Sequence, residues 1–359
     1  MKKAVTGELE MTLMDTITRK ISLLALAFSL FAPFTFVSGQ TVVAEPKVVI
    51  APGKQKNKIK QQKADLLTGD DTYAEKSIAV VDPKVNVYLC VAEGNLKITG
   101  WERSEVRVFV SNGSEIGFKI QQKNKQSNPV LLTVTAVNAT KTGEVSSQQT
   151  CLSGSDIELD VPRGAYVNVK GRTNETKIEA IRKTEVKHVS GDISFRNIEQ
   201  GINASTHEGD VTVENSGGVI KLETTIGNIV AFDIAPSEIG DIFRAKTSSG
   251  AIALQQIEHR QNEIISNSGS IKFVGDFQNG GQYDFRTQNG SISLAIPEKS
   301  SCKINASYGF GAFNSELKLD NIVKNTTSFR AQSLSAVMGG GEATVNLTTY
   351  SGAIRLKKQ

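Results

Sequence analysis

Two aspartates stand where acid–base chemistry would need them. Asp192 and Asp210 each follow a glycine, and each glycine opens the same short phrase, so on a stacked fold they would lie on adjacent turns. Paired carboxylates can serve as general acid and base on a glycan. The equivalents further along are Asn228, Ala251, Ser270 and Ser291, so the acidic row stops after two. Aspartate after glycine is also an ordinary turn residue, and the sequence favours that reading. His207, Glu208 and Asp210 are too few, and not at a known ligand spacing, to make a metal site. His188 reads as a semi-buried polar side chain, and His259, beside Arg260, as a solvated loop residue. Cys90, Cys151 and Cys302 are not at metal spacing. In an exported chain two of them could pair and leave one over; a Cys90–Cys151 bridge and three ordinary thiols both fit the sequence. No glycine-rich nucleotide loop opens a helix, because no helical period is present. No catalytic, cofactor-binding or metal-binding residue is therefore assigned.

The elements that would position these side chains are set by a repeated phrase: glycine, any residue, apolar, any residue, apolar. It runs as Gly191-Ile193-Phe195, Gly209-Val211-Val213, Gly227-Ile229-Ala231, Gly250-Ile252-Leu254, Gly269-Ile271-Phe273 and Gly290-Ile292-Leu294. The glycines are 18, 18, 23, 19 and 21 residues apart. Three residues before each stands His188, Thr206, Thr224, Thr247, Ser266 or Thr287; five before stands Val186, Ala204, Leu222, Ala245, Ile264 or Phe285. Seven before, Ile202, Ile220, Phe243 and Tyr283 continue the apolar row, while Thr184 and Asn262 break it. Alternation at period two marks strands with one buried face. A unit of about 20 residues cannot bury that face alone, but stacked copies can, each strand pairing with its equivalent one turn away.

The expected fold is therefore all-β: a parallel β-solenoid of short strands with glycine corners and irregular capping strands at the N-terminal end. An antiparallel sandwich gives no reason to keep the phrase in register. The corners are placed at Gly94, Gly191, Gly209, Gly227, Gly250, Gly269, Gly290 and Gly352, where glycine reaches positive φ without steric cost. The threonine row is expected to bond across rungs. Pro297 ends a rung, and residues 314–338 lose the phrase and loop out or cap. Val345 to Leu356 reproduce the repeat, and Lys357 and Lys358 would keep the last edge soluble.

Outside the repeats the chain divides readily. Arg19 and Lys20 precede an apolar run from Ile21 to Val37, followed by small residues up to Gly39, which is the pattern of a secretory signal peptide over 1–39. The run spans seventeen residues and contains Pro33, short for the ~30 Å of a bilayer core, so no membrane span is expected after cleavage. Residues 40–77 are rich in lysine and glutamine and read as a flexible linker. The solenoid domain then covers 78–358: N-terminal strands to 170, regular repeats over 171–296, and an irregular rung, loop and final repeat over 297–358. Apolar content of 39% suits a thin core along a long object, and a net charge of +4 over 359 residues gives no ground for a nucleic-acid partner.

The run Gly94-Asn95-Leu96-Lys97-Ile98 into Gly100-Trp101-Glu102-Arg103 and Glu105-Val106 carries a resemblance. So do Ile157 to Pro162, the Ser-Gly and Glu-Gly-Asp corners, and Tyr350-Ser351-Gly352-Ala353-Ile354. In these residues the chain resembles the bacterial "putative adhesin" domain family, a domain of unknown function on exported and cell-envelope proteins. The resemblance covers about 79–358. It implies an exported or envelope location, periplasmic, surface or secreted, and adhesion, binding or scaffolding without catalytic residues or cofactor. An envelope glycan or envelope protein would be the partner. Two other functions stay open at this point: a polysaccharide-cleaving enzyme on Asp192 and Asp210, and an envelope-stress sensor. Nothing in the sequence bears on oligomeric state.

Overall fold

The computed structural model describes residues 72–121, 131–137, 150–328 and 331–359. The signal peptide and most of the linker lie outside them. Every regular element among the described residues is a β-strand. In the regular part each rung has two strands, one on each side of the glycine corner. Gly201–Glu208 pairs in parallel with Lys183–Ser190 on one side and Val219–Ile226 on the other, and Val211–Gly217 lies likewise between Asp192–Arg196 and Ile229–Ala235. The register sets Val186, Ala204, Leu222, Ala245, Ile264 and Phe285 side by side. The repeat alignment is thus the pairing register itself.

Alternation then decides burial. Ile193, Val211, Ile229, Ile252, Ile271 and Ile292 form one fully buried row, and Phe195, Val213, Ala231, Leu254, Phe273 and Leu294 another. Burying one such side chain contributes about 1.5–3 kcal/mol, and no rung could do so without its neighbours. Thr184, which interrupts the apolar row, is buried and donates its hydroxyl to the Val167 carbonyl at 3.1 Å. Asn262, the other interruption, is also buried and donates from Nδ2 to the His259 carbonyl at 2.5 Å.

The two ends depart from chain order in the same way. The final repeat, Ala343–Ser351 and Ile354–Lys358, does not lie last in the stack. It is inserted between the rung Gln282–Asn289 and Ile292–Ile296 and the rung Cys302–Phe310 and Phe313–Ser315. The chain leaves after Ile296, builds the outer rung, caps it with antiparallel Ala331–Met338 and Asp320–Ser328, and returns to fill the gap. Lys357 and Lys358 pair on their inner side with Ala295 and Ile296, the strand outside them stops at Ser315 opposite Leu356, and the outermost strands of the two columns are Phe313–Ser315 and Asp320–Ser328.

At the other end Asn86–Trp101 runs through both strand columns. It pairs with Tyr166–Gly171 and Glu175–Glu179 on its inner side and with Leu131–Ala136 and Leu152–Pro162 on its outer side. Antiparallel Glu105–Ser111 and Ile116–Gln121 cover that outer rung, and Tyr73–Ala79 adds a last strand. Tyr73–Ala79 begins inside the segment assigned to the linker, because Tyr73 stacks on Phe109 at 5.8 Å and the strand pairs along its whole length. Antiparallel strands carrying charged residues thus close both ends of the stack, except where Phe313–Ser315 ends its column as a short parallel strand, and short or charged edges resist adventitious pairing. Of the two sequence readings of Cys90 and Cys151, the structure has the bridge. It ties the tucked-in first rung to the start of Leu152–Pro162, a cross-link worth about 4 kcal/mol in lost chain entropy of the unfolded state. Cys302 is free and buried, and burial pushes its thiol up to about 12.

Candidate functional site

The corner row was the one place where sequence put chemistry-bearing side chains in line. Its backbone explains the glycine first. Gly227 has φ of 153°, and a Cβ there would collide with the Gly209 carbonyl stacked beneath it. Gly290 is not in the left-handed region, yet a Cβ there would strike the Gly269 carbonyl in the same way. Positive φ is therefore only part of the requirement; close approach of the glycine one rung below is the shared part. The same stacking holds Gly191 over Thr173, Gly209 over Gly191, Gly250 over Gly227, Gly269 over Gly250, Gly352 over Gly290, and Gly94 over Gly154 of the outer rung.

The threonine row locks that approach. Thr224 donates its hydroxyl to the Gly209 carbonyl at 3.0 Å, Thr247 to Gly227 at 2.9 Å and Thr287 to Gly269 at 3.0 Å. Ser266 and Thr349 do the same to Gly250 and Gly290, each at 2.9 Å. The bonding does cross rungs, but from hydroxyl to corner carbonyl, which satisfies a buried acceptor that would otherwise cost about 1–3 kcal/mol. His188, first in this row, is buried with Nδ1 3.2 Å from the Thr173 hydroxyl and Nε2 unpartnered. Burial lowers its pKa to about 4, so the ring is neutral near pH 7.

Asp192 and Asp210 are brought together on adjacent rungs, and their bonding gives them a defined job. Asp192 Oδ1 accepts the backbone N–H of Asp210 at 2.8 Å, and Asp210 Oδ1 accepts that of Asn228 at 2.7 Å. Asn228 Oδ1 continues the ladder to the N–H of Ala251 at 2.9 Å. An asparagine thus does what the aspartates do, so the position needs an acceptor oxygen and not a carboxylic acid. His207 and Glu208 do not join them in a metal site: among the described residues no three His, Cys, Asp or Glu side chains converge.

The expectation for His259 is overturned. It is fully buried, with Nε2 2.8 Å from the Gly218 carbonyl and its ring tilted against Phe243 at 6.1 Å. The Tyr283 hydroxyl and Asn262 both donate to its carbonyl, so the loop is pulled inward by three polar contacts. Desolvation lowers its pKa.

A second corner was missed. Asn197, Asn215 and Asp233 adopt left-handed φ of 55°, 42° and 57° where the second strand of each rung turns away. Asn215 Nδ2 donates to Asn197 Oδ1 at 2.6 Å, and an open groove of 510 Å³ runs past all three. Asparagine and aspartate tolerate this conformation, and their recurrence every 18 residues was the available signal.

The Gly-Trp phrase has a structural explanation too. A Cβ at Gly100 would hit the Ala180 carbonyl, and Trp101 Nε1 donates to the Glu105 carbonyl at 2.8 Å, closing the turn into Glu105–Ser111. Arg103 lies 4.9 Å and Arg107 5.7 Å from the indole centre.

Residues 81–357 match the family described as Toastrack DUF4097. The chain belongs to that family. The Toastrack match takes in the regular rungs, the C-terminal cap and the N-terminal cap except for its outermost strand, Tyr73–Ala79. Two crystal structures are similar to this Toastrack chain. One, a putative cell adhesion protein from Clostridium sporogenes, is 14% identical with a TM-score of 0.25, covering 81% of this chain and 100% of that one. The other, a putative adhesin from Bacteroides fragilis, is 12% identical with a TM-score of 0.35, covering 80% of this chain and 97% of that one. No curated protein matches the chain.

Proposed function

We propose that the chain is an exported, non-catalytic β-solenoid that binds or scaffolds in the cell envelope through the outer surface of its stacked rungs. The observation that carries this reading is the bonding of the acidic pair. Asp192 and Asp210, the residues best placed for acid–base work, are used as acceptors for backbone N–H groups of the next rung. What remains exposed is a continuous lateral surface of the kind stacked repeats use for binding. Export is supported by the charged, apolar and small-residue order at the N-terminus and by the Cys90–Cys151 bridge, since disulfides persist in oxidising compartments.

Fractionation of producing cells, combined with protease shaving of intact cells and capture of the full chain on isolated envelope fragments, tests this reading. The expected result is oxidised protein in the envelope or outside it, and retention on envelope fragments. Reduced protein in the cytoplasm, or release of reducing ends from envelope polysaccharide that Asp192→Asn abolishes, would overturn it.

A further inference from the structure

The C-terminal half of the corner row differs chemically from the half that holds the aspartates. Ser249, Ser268, Asn289, Ser351 and Phe310 stand in register on five successive rungs. Beside them on the same edge lie Ser248, Asn267, Gln288 and Tyr350. Positions 248–251, 267–270, 288–291 and 350–353 contain no charged residue. At the strand spacing of a sheet, five rungs make a strip roughly 19 Å long.

Two features set this strip apart from an ordinary polar edge. Among the described residues, the side chains of Ser249, Asn267, Ser268, Gln288 and Asn289 make no hydrogen bond within the chain, and all five residues are exposed. The strip also ends on two aromatic residues that remain accessible, Tyr350 at 54% and Phe310 at 39%, with ring centroids 5.6 Å apart and planes at 86°. Tyr350 lies beside Gln288 and Asn289 only because the final repeat is tucked in next to the Gln282–Ile296 rung.

We propose that this strip is a binding site for a neutral polysaccharide chain lying along the stack. The inference rests on the envelope-binding reading above and narrows it to one class of ligand. Hydroxyl and amide groups both donate and accept, as sugar hydroxyls do, so exposed serine, asparagine and glutamine side chains match them without charge. Aromatic faces offer apolar area for the C–H faces of a sugar ring. The strip itself offers no cation to a carboxylate or sulfate group; the nearest, Lys246, Arg286, Lys272 and Arg355, lie two residues to either side of it, and sulfated dextran tests whether they matter.

The test is binding of the full chain to neutral polysaccharides (an α-glucan, a β-glucan, a mannan and a galactan), with sulfated dextran as the charged counterpart. At least one neutral polymer is expected to bind, with affinity changing less than about twofold between about 50 and 500 mM salt. Phe310→Ala combined with Tyr350→Ala should weaken that binding about tenfold. Gln288→Ala combined with Asn289→Ala, which removes only exposed groups, should weaken it in the same direction while leaving the melting temperature unchanged. Binding to sulfated dextran alone, or neutral binding indifferent to both double variants, would overturn the proposal. So would the absence of neutral binding by a chain still captured on envelope fragments, an outcome that leaves the broader reading standing.

Discussion

From Gly191 to Gly227 the residue after each corner glycine is Asp192, Asp210 or Asn228, and its side-chain oxygen takes a backbone N–H of the next rung. From Gly250 to Gly352 the same position holds Ala251, Ser270, Ser291 and Ala353, and only Ser291 keeps a long version of the bond, 3.4 Å to the Ala353 N–H. The backbone is the same in both halves: the glycine N–H still meets the carbonyl one rung on, from Gly209 and Ile226 to Gly290 and Ser351. The core differs instead. Phe273, Phe277, Tyr283 and Phe285 interlock in the C-terminal rungs at centroid distances of 4.7–6.3 Å, and the rungs bearing the ladder have no such cluster. A side-chain ladder outside and aromatic packing inside are thus two ways to hold the same corner. Where the ladder lapses, Ala251, Ser270 and Ala353 take no backbone N–H of the next rung on their side chains.

The largest effect that would test this comparison lies in the part both halves share. Gly227→Ala must accept both a collision with the Gly209 carbonyl and a disfavoured φ, and is expected to lose about 3 kcal/mol or more in denaturant unfolding. Gly290→Ala meets only the collision and should lose less. Equal losses would mean that stacking alone sets the requirement.

Acid should act through two buried histidines whose pKa desolvation lowers, His188 in the ladder-bearing half and His259 beside Phe243, and a variant at His188 isolates the share of the first. The folded-state pKa of His188 is lowered to about 4, below the ordinary histidine value, because burial disfavours the charged ring. The unfolded chain therefore binds the extra proton first as pH falls. Stability is complete above about pH 6.5 and declines toward pH 4, by up to about 3 kcal/mol. His188→Thr restores the residue type of its row and should flatten that part of a stability-against-pH curve. An unchanged slope would show that His188 is not the group responsible.

The ladder itself is a smaller matter. Asp210→Ala leaves the N–H of Asn228 without its acceptor and should cost about 1 kcal/mol, whereas Asp210→Asn keeps an oxygen there and should fall within about 0.5 kcal/mol of the parent. Ser270→Ala, at the equivalent position in the other half, should be close to neutral by the same measurement.

How much of this was legible in the sequence follows from where each signal resides. Strand period, corner glycines and the threonine row repeat because every rung solves one local problem, so Leu222 and Thr224 announce their places without a structure. The tucked-in final repeat could not be read. Gly352 carries the same phrase as Gly290, and nothing local tells whether Val345 stacks beyond Ile304 or between it and Tyr283. Long-range pairing decides that, and it alone brings Tyr350 beside Gln288. The burial of His259 was hidden similarly, because flanking Glu258 and Arg260 suggest solvent while its partner, the Gly218 carbonyl, is 41 residues away. The acidic pair was seen but its use was not, since an acceptor for a backbone N–H and a general acid look alike in a sequence.

The most direct test of the account compares two double variants of the full chain side by side, for stability and for retention on envelope fragments. One is Asp192→Ala with Asp210→Ala; the other is Gln288→Ala with Asn289→Ala. The account predicts a crossover: the first pair lowers stability by about 2 kcal/mol and leaves retention intact, and the second leaves stability intact and weakens retention. Retention lost with the aspartates and kept without Gln288 and Asn289 would contradict it.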